Sequence, residues 1–148
     1  MQDALQKDGA DDVKFVPRFD IKAIKEIAKA SGSPTLPQET GYLERAKFYA
    51  GRKFRCEMYG DICFYAGTIG KKHFRLIEIA VRQEEQGKGY GRRMMKRLIF
   101  MCRKNGIEKI TLRANRSESA VDFYKRFGGR ITGIKGDDYE MEIPLCFT

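Results

Sequence analysis

A glycine-rich stretch between an apolar run and a basic segment constrains the fold of this 148-residue chain most strongly. The stretch is residues 86–93. The run before it, residues 76–81, has the composition of a buried strand, and the segment after it has the apolar spacing of a helix. The first amides of a helix have no intrahelical partner, and glycine lets a bulky group approach the backbone. The sequence therefore predicts an anion-binding loop, around which Lys88, Arg92 and Arg93 would add mobile positive charge.

Spacing decides between three kinds of phosphate-binding loop. A dinucleotide fingerprint needs glycine three residues beyond Gly89, where this chain has Arg92. A P-loop needs Gly-Lys-Ser or Gly-Lys-Thr, which is absent. The remaining pattern, Gln86-x-x-Gly89-x-Gly91, follows a strand and precedes a helix, and it resembles the acetyl-CoA pyrophosphate loop of the GNAT superfamily of N-acetyltransferases.

A second segment strengthens this resemblance. Ser117-x-x-Ala120-x-x-Phe123-Tyr124-x-x-Phe127-Gly128 is similar to the late helix of that family, which carries a tyrosine beside the cofactor sulfur. The resemblance covers about residues 76–145, and the first half of the chain matches only in its order of elements. It implies an α/β fold with a mixed, mostly antiparallel twisted sheet, helices on both faces, and two splayed strands that hold CoA between them.

The resemblance also implies a set of site residues. The cofactor-binding residues would be Ile79, Ala80, Val81, Gln86, Gly87, Lys88, Gly89, Tyr90, Gly91, Arg92, Ser117 and Tyr124. Tyr124 would be the general acid, since a phenol with an ordinary pKa of about 10 stays protonated until a thiolate forms. Ser117 stands where the family often has an asparagine. Two interpretations stay open for it, a hydrogen bond to the pantetheine arm or a helix cap, and Asn115 is a weaker substitute.

The general base is open at this stage. Glu78 is the acid within the apolar strand beside the expected thioester, and it could deprotonate the amine through a water. Because side chains alternate across a strand, Glu78 could instead face solvent or an arginine. His73, at the start of that strand, is a second candidate, and a water chain without a dedicated base is a third. The four cysteines fall outside both motifs, which argues for direct transfer without a covalent enzyme intermediate.

Composition indicates the cellular location and the possible partners of the protein, but it does not identify the amine that accepts the acetyl group. The chain has no CxxC pair and a single histidine, so the sequence predicts no metal site, and it predicts reduced, buried cysteines in a cytoplasmic protein. It shows no signal-like start and no membrane-spanning run. The net charge of +9 suits CoA, but it also keeps a second hypothesis open, a nucleic-acid- or ribosome-associated protein. A catalytically silent acyl-CoA sensor is a third.

The acceptor would be a protein amino group or a small amine, and the assembly a monomer or homodimer. The early helices wall the acceptor groove in the resembled family, so Tyr42, Phe48 and Tyr49 could line it or be ordinary core aromatics. Late in the chain, Glu140 and Glu142 with two aspartates could form an acidic patch for a cationic acceptor, or a solvated edge.

The remaining pattern predicts a tail over residues 1–12 and a single domain over 13–148. Strands are expected at 13–16, where Pro17 would break the first, and at 54–59, 62–69, 74–81, 107–114, 130–134 and 139–145. Helices are expected from the Asp20 cap onward, at 38–50, at 92–104, and from Ser117 to about Phe127.

Overall fold

The computed structural model describes residues 14–32, 36–116 and 119–145, which contain a seven-stranded mixed sheet and four α-helices. The strands are β1 Val16–Pro17, β2 Phe54–Tyr59, β3 Cys63–Ile69, β4 His73–Val81, β5 Lys109–Asn115, β6 Arg130–Lys135 and β7 Asp138–Pro144. The helices are α1 Ile21–Ala30, α2 Leu36–Ala50, α3 Tyr90–Lys104 and α4 Ala120–Lys125. The strand order is β1-β2-β3-β4-β5-β7-β6.

The sheet opens between β4 and β5. All other neighbouring strands pair antiparallel, whereas β4 and β5 are parallel and share three residue pairs, from His73 with Lys109 to Arg75 with Thr111. From Leu76 onward, the edge of β4 that faces β5 has no ladder partner within the described sheet. The mostly antiparallel mixed sheet and the splayed strand pair predicted from the sequence are both confirmed.

Helices lie on both faces of the sheet, as predicted. We call the face under α3 and α4 the front face; its core includes Phe74, Leu98 and Ile110. The back face carries α1 and α2, which pack over β2, β3 and β4 around Ile24 and Ile27. The same back face of β5, β7 and β6 carries charged side chains in place of an apolar core, because the residues that alternate with the buried ones there are arginines, lysines and glutamates.

Several boundaries differ from those expected, each for a local reason. Helix α3 begins at Tyr90, two residues before the predicted start, because Gly89 with φ 92° serves as its N-cap. Pro17 is the last residue of β1 and pairs with Glu57, so the strand ends at the proline and not before it; an edge strand allows this because a missing N–H is not needed on its outer side. Asp20 caps α1 as predicted, accepting a hydrogen bond from the Ala23 amide at 3.1 Å.

Other differences are small. Strand β5 starts at Lys109, two residues later than expected, and α4 covers a shorter stretch than the predicted one. The predicted tail, residues 1–12, and the predicted helix cap, Ser117, lie outside the described residues.

Candidate functional site

A cleft with a volume of about 1320 Å³ runs through the opening between β4 and β5. Every predicted site residue lines it except Lys88, whose ammonium lies 3.1 Å from the Glu85 carboxylate, and Ser117, which lies outside the described residues. The strand end, the glycine loop and α4 are thus brought together around one opening, although they are separated by up to about 45 residues in the sequence.

The glycine loop is shaped by backbone geometry at Gly89. Its left-handed conformation starts α3, no side chain caps the helix there, and the first turn from Gly89 to Arg92 lines the cleft. The φ of 92° favours glycine, and a Cβ there would lie 2.2 Å from Nη1 of Arg93, so the end of that side chain would have to shift. The loop is therefore an anion cradle made of main-chain groups at the positive end of a helix.

Arg93 lies beneath this cradle. It is 5% exposed, its Nη1 donates a hydrogen bond to the Lys88 carbonyl at 3.4 Å, and burial lowers its pKa. The expectation that Arg93 adds mobile charge around the loop is wrong, because the side chain turns inward from α3 and supports the backbone of the loop.

Gln86 fixes the other end of the loop. Its Nε2 donates to the carbonyl of Val81 at 3.0 Å and to that of Ser31 at 2.9 Å. The side chain therefore joins the end of β4 to the turn after α1. This brace explains a glutamine at the edge of the cradle without requiring that it touch a ligand.

Tyr124 lies in the cleft on α4 and is 6% exposed. Its ring packs edge-on against Phe123 at a centroid distance of 5.2 Å. A Cβ at Gly91 would lie 3.3 Å from the Phe123 ring, so the glycine allows α4 to approach the first turn of α3 closely. The packing of these two helices thus fixes the phenol relative to the cradle.

Glu78 reaches the back-face side of the cleft because of an irregularity in β4. Ala66 pairs with Glu78 and Gly67 with Leu76, so Ile77 is an extra residue that shifts the register. In a regular strand Glu78 would share the face of Leu76; here it joins the side of Ala66 and Ala80, which belong to the back-face core.

This placement buries the carboxylate. Glu78 is 3% exposed, and both of its carboxylate oxygens are inaccessible to solvent. It therefore does not face solvent, which was one of the two alternatives. The other candidate base, His73, lies at the paired end of β4 opposite Lys109 and does not line the cleft.

The back-face mouth of the cleft contains four residues that the sequence did not single out: Arg45 from α2, Arg75 from β4, Arg113 from β5, and Thr68. Asp138, one of the two aspartates of the acidic patch considered from the sequence, completes this side. They are far apart in the sequence and belong to no motif. The sequence signal for these residues was the alternation of charged side chains along β5 and β7, which predicts only that one face of these strands is polar.

The acidic patch considered at the end of the chain is compensated by basic side chains. Glu140 accepts from Arg75 Nη1 at 2.6 Å and from Arg113 Nε at 3.1 Å. Glu142 likewise pairs with Lys109 and Arg130 at 3.1 Å and 3.0 Å. Hydrogen bonds from the arginines, Arg75 and Arg130 first, hold the pKa of each carboxyl below its ordinary value.

Of the early aromatic residues, only Tyr42 lines the cleft. Phe48 and Tyr49 are 80% and 82% exposed and contact each other, so neither the groove interpretation nor the core interpretation holds for them. The three described cysteines are buried, burial raises the pKa of each thiol to about 12, and none lines the cleft.

No helix among the described residues combines the length and the apolar character needed to cross a membrane. Within the same ranges, no group of three histidine, cysteine or acidic side chains could hold a metal ion.

This chain is similar to a known protein family and to several solved structures. The model of the acetyltransferase (GNAT) family matches residues 24–129. No curated protein sequence matches the chain. The PaiA N-acetyltransferase of Thermoplasma acidophilum, solved with coenzyme A, is 17% identical, with a TM-score of 0.72 over 88% of this chain and 98% of its own.

Two other solved structures are similar in fold. The ribosomal-protein-S18-alanine N-acetyltransferase of Escherichia coli is 17% identical, with a TM-score of 0.76 over 91% of this chain and 95% of its own. Ard1 of Thermoplasma volcanium is 18% identical, with a TM-score of 0.72 over 90% and 98%.

Proposed function

This chain belongs to the GNAT acetyltransferase family, and on that basis we propose that it moves an acetyl group from acetyl-CoA to a primary amine by direct attack. The observation that carries the proposal is the opening between β4 and β5, which has the glycine cradle at one end and Tyr124 and Glu78 inside it. Family membership and this cleft favour the transferase over a nucleic-acid-binding protein.

The residues present fit a CoA thioester. The cradle around Gly89 offers main-chain amides at a helix N-terminus, which suit a pyrophosphate. The edge of β4 from Leu76 to Val81 offers main-chain groups that suit the amides of a pantetheine arm. Arg92 and Arg126 also line the cleft, and the sequence motif included only the first of them.

When bound, the thioester supplies an activated acetyl group, and transfer forms a C–N bond and breaks the C–S bond. We assign Tyr124 the role of general acid, which donates its phenolic proton to the departing sulfur. Tyr124 is 6% exposed and lines the cleft, which supports a fixed position for this proton donor.

Glu78 would accept the proton that the amine loses. Its carboxylate lies on the back-face side of the cleft, where the register shift places it, while Tyr124 belongs to the front-face core. An amine that enters from the back-face mouth therefore passes the side of the cleft on which Glu78 lies, and a water would carry its proton to the buried carboxylate. The three cysteines in the described part of the chain are given no role, because their thiols lie outside the cleft and burial raises their pKa values.

Calorimetric titration tests the cofactor. The purified protein is titrated with acetyl-CoA, desulfo-CoA and adenosine bisphosphate at two salt concentrations, and we expect saturable one-to-one binding of the CoA species. Mass spectrometry of a panel of amines and peptides then tests transfer. Failure of every CoA species to bind would contradict the proposal, and tight binding without transfer to any acceptor would favour the silent sensor.

A further inference from the structure

The back-face mouth of the cleft is open on one side. Helices α1 and α2 cover β2 to β4, while β6 and β7 are joined by a two-residue turn, Gly136 and Asp137. Neither this turn nor a helix of the described chain covers the back face of β5 and β7, and Arg113 there is exposed. An extended polypeptide can therefore approach the mouth along the sheet, which a closed pocket would prevent.

The mouth carries more positive than negative charge. Arg75 and Arg113 share the single carboxylate of Glu140. Arg45 lies on exposed α2, with its guanidinium 5.9 Å from the centre of the Tyr42 ring and no carboxylate within ion-pair distance among the described residues. Asp138 adds one further negative charge, so three arginines face two carboxylates around the mouth.

The floor of the cleft has the opposite sign. Glu78 is buried there, three residues beyond Arg75 on the same strand. Because a strand rises about 3.3 Å per residue, the two positions are at most about 10 Å apart. The site thus has a carboxylate on its floor and the guanidinium of Arg75 about three extended residues away along β4. Arg113 lies on β5 two residues beyond Thr111, the partner of Arg75, and lines the same mouth.

We infer that the acceptor is an amino group of a polypeptide that carries an acidic residue within about three positions of that amine. The amine would approach Glu78 while the acidic side chain meets Arg113 and Arg45, which bind carboxylates through paired N–H donors. This inference rests on the proposed acetyl transfer for the identity of the reacting group, but the charge preference can be measured by binding alone.

The test uses three peptides with one free amino group and a fluorophore at the far end. They differ only at the two positions nearest the amine, which are glutamate, glutamine or arginine. Binding to the full protein with CoA present is followed by fluorescence anisotropy at low and high salt, and acetylation is followed by mass spectrometry. We expect the glutamate peptide to bind at least about tenfold tighter than the arginine peptide at low salt, with the difference shrinking as salt rises.

Charge-reversal variants test which arginines cause the preference for the acidic peptide. Arg113→Glu and Arg45→Glu, from separate elements, should each reduce the glutamate-over-arginine preference by about tenfold. Arg130→Glu is the matched control, because Arg130 lies on the same charged face, pairs with Glu142 and does not line the cleft; it should keep the preference. Since Arg113→Glu places a second acid opposite Glu140, thermal unfolding and CoA binding confirm its fold, and Arg45→Glu is free of this strain.

Equal binding of the acidic and basic peptides would overturn the inference, and so would a preference that survives both reversals. Displacement of the peptide by an oligonucleotide of equal charge at lower concentration would also overturn it. A clear acidic preference without acetyl transfer to any peptide would leave the charge preference standing and contradict the acetyl transfer on which the identity of the acceptor rests. Transfer to all three peptides with equal binding would support acetyl transfer and overturn the charge preference.

Discussion

The two ends of the cleft are built by different means. The cradle end consists of main-chain amides held in place by the conformation of Gly89 and by the buried Arg93 beneath it. The mouth end consists of half-buried and exposed side chains from α2, β4, β5 and β7, arranged by ion pairs such as Arg75 with Glu140. One added methyl group is enough to disturb the cradle end, whereas exchanging side chains can change the charge of the mouth end.

This difference sets what mutations should do. Changes at the cradle alter the backbone, so their effects should be large at any salt concentration. Changes at the mouth alter solvent-facing charges, so their effects should be graded and screened by salt. The predictions below run from the largest expected effect to the smallest, and each can break or sharpen this contrast.

Gly89→Asp should weaken acetyl-CoA binding at least about 100-fold, which corresponds to about 2.7 kcal/mol. A side chain at this positive φ costs about 1–3 kcal/mol in strain, its Cβ clashes with Arg93, and its charge repels a pyrophosphate. Calorimetry measures the change. Gly106→Asp is the control, because Gly106 also has a positive φ but lies after α3 with nothing within 4 Å of an added Cβ. Unchanged affinity in Gly89→Asp would contradict the loop assignment.

Tyr124→Phe should lower kcat by about 100-fold, the lower limit for loss of a general acid, and leave acetyl-CoA affinity nearly unchanged. The lost hydroxyl acts on the transition state, while the ring keeps its contact with Phe123. Steady-state kinetics with parallel calorimetry separates the two effects. Tyr139→Phe, in the same front-face core but outside the cleft, should have full activity. Equal turnover in Tyr124→Phe would remove this residue from the acid role.

Glu78→Gln should lower kcat/KM about tenfold at neutral pH, a smaller loss because water can replace a base in part. The limb of the pH–rate profile that reports ionisation of the base should disappear. Glu57→Gln is the control, since Glu57 is also buried but binds Tyr65 and Arg97 on the front face; it should lower the unfolding temperature and keep the profile. An unchanged profile in Glu78→Gln would assign the base role to water.

Glu140→Gln should cost about 1 kcal/mol, or about 3 °C in Tm, at neutral pH. The pKa of Glu140 is lowered from 4.5 in the folded state by Arg75 and Arg113, so its stabilising effect is complete above about pH 4.5 and is lost as the pH falls through the folded value. The variant should therefore lose less stability on acidification than the wild type.

Thermal unfolding between pH 7 and pH 3 measures this difference. Glu108→Gln is the control, because its pair with Lys72 is 62% and 70% exposed and should contribute little at any pH. The same acid sensitivity in Glu140→Gln and the wild type would show that this pair does not stabilise the mouth.

The contrast between the two ends also explains what the sequence could predict. The cradle lies within eight consecutive residues, and its glycines have a local backbone meaning, so their pattern was visible before the structure. The inward direction of the Arg93 side chain was not visible in the sequence, because an arginine in the first turn of a helix can point into the protein or toward solvent.

Other features depend on the whole sheet. The side of β4 on which Glu78 lies follows from the register shift opposite Gly67, where a Cβ would lie 2.2 Å from the Arg75 carbonyl. No alternation pattern reveals such a shift. Arg45, Arg75 and Arg113 meet because β4 lies next to β5 and α2 packs on the same side of the sheet, so no spacing in the sequence brings them together.

The short seam between β4 and β5 has a mechanical consequence. Two antiparallel units, β1 to β4 and β5 with β7 and β6, are joined along it by three residue pairs and by the Arg75–Glu140 bridge that crosses β5. Widening the cleft breaks no ladder bond beyond Arg75, so only the front-face core and these few contacts hold the two units together there. A ligand that occupies the gap completes the sheet and couples the two units, and slower amide hydrogen exchange along residues 76–81 would record that coupling.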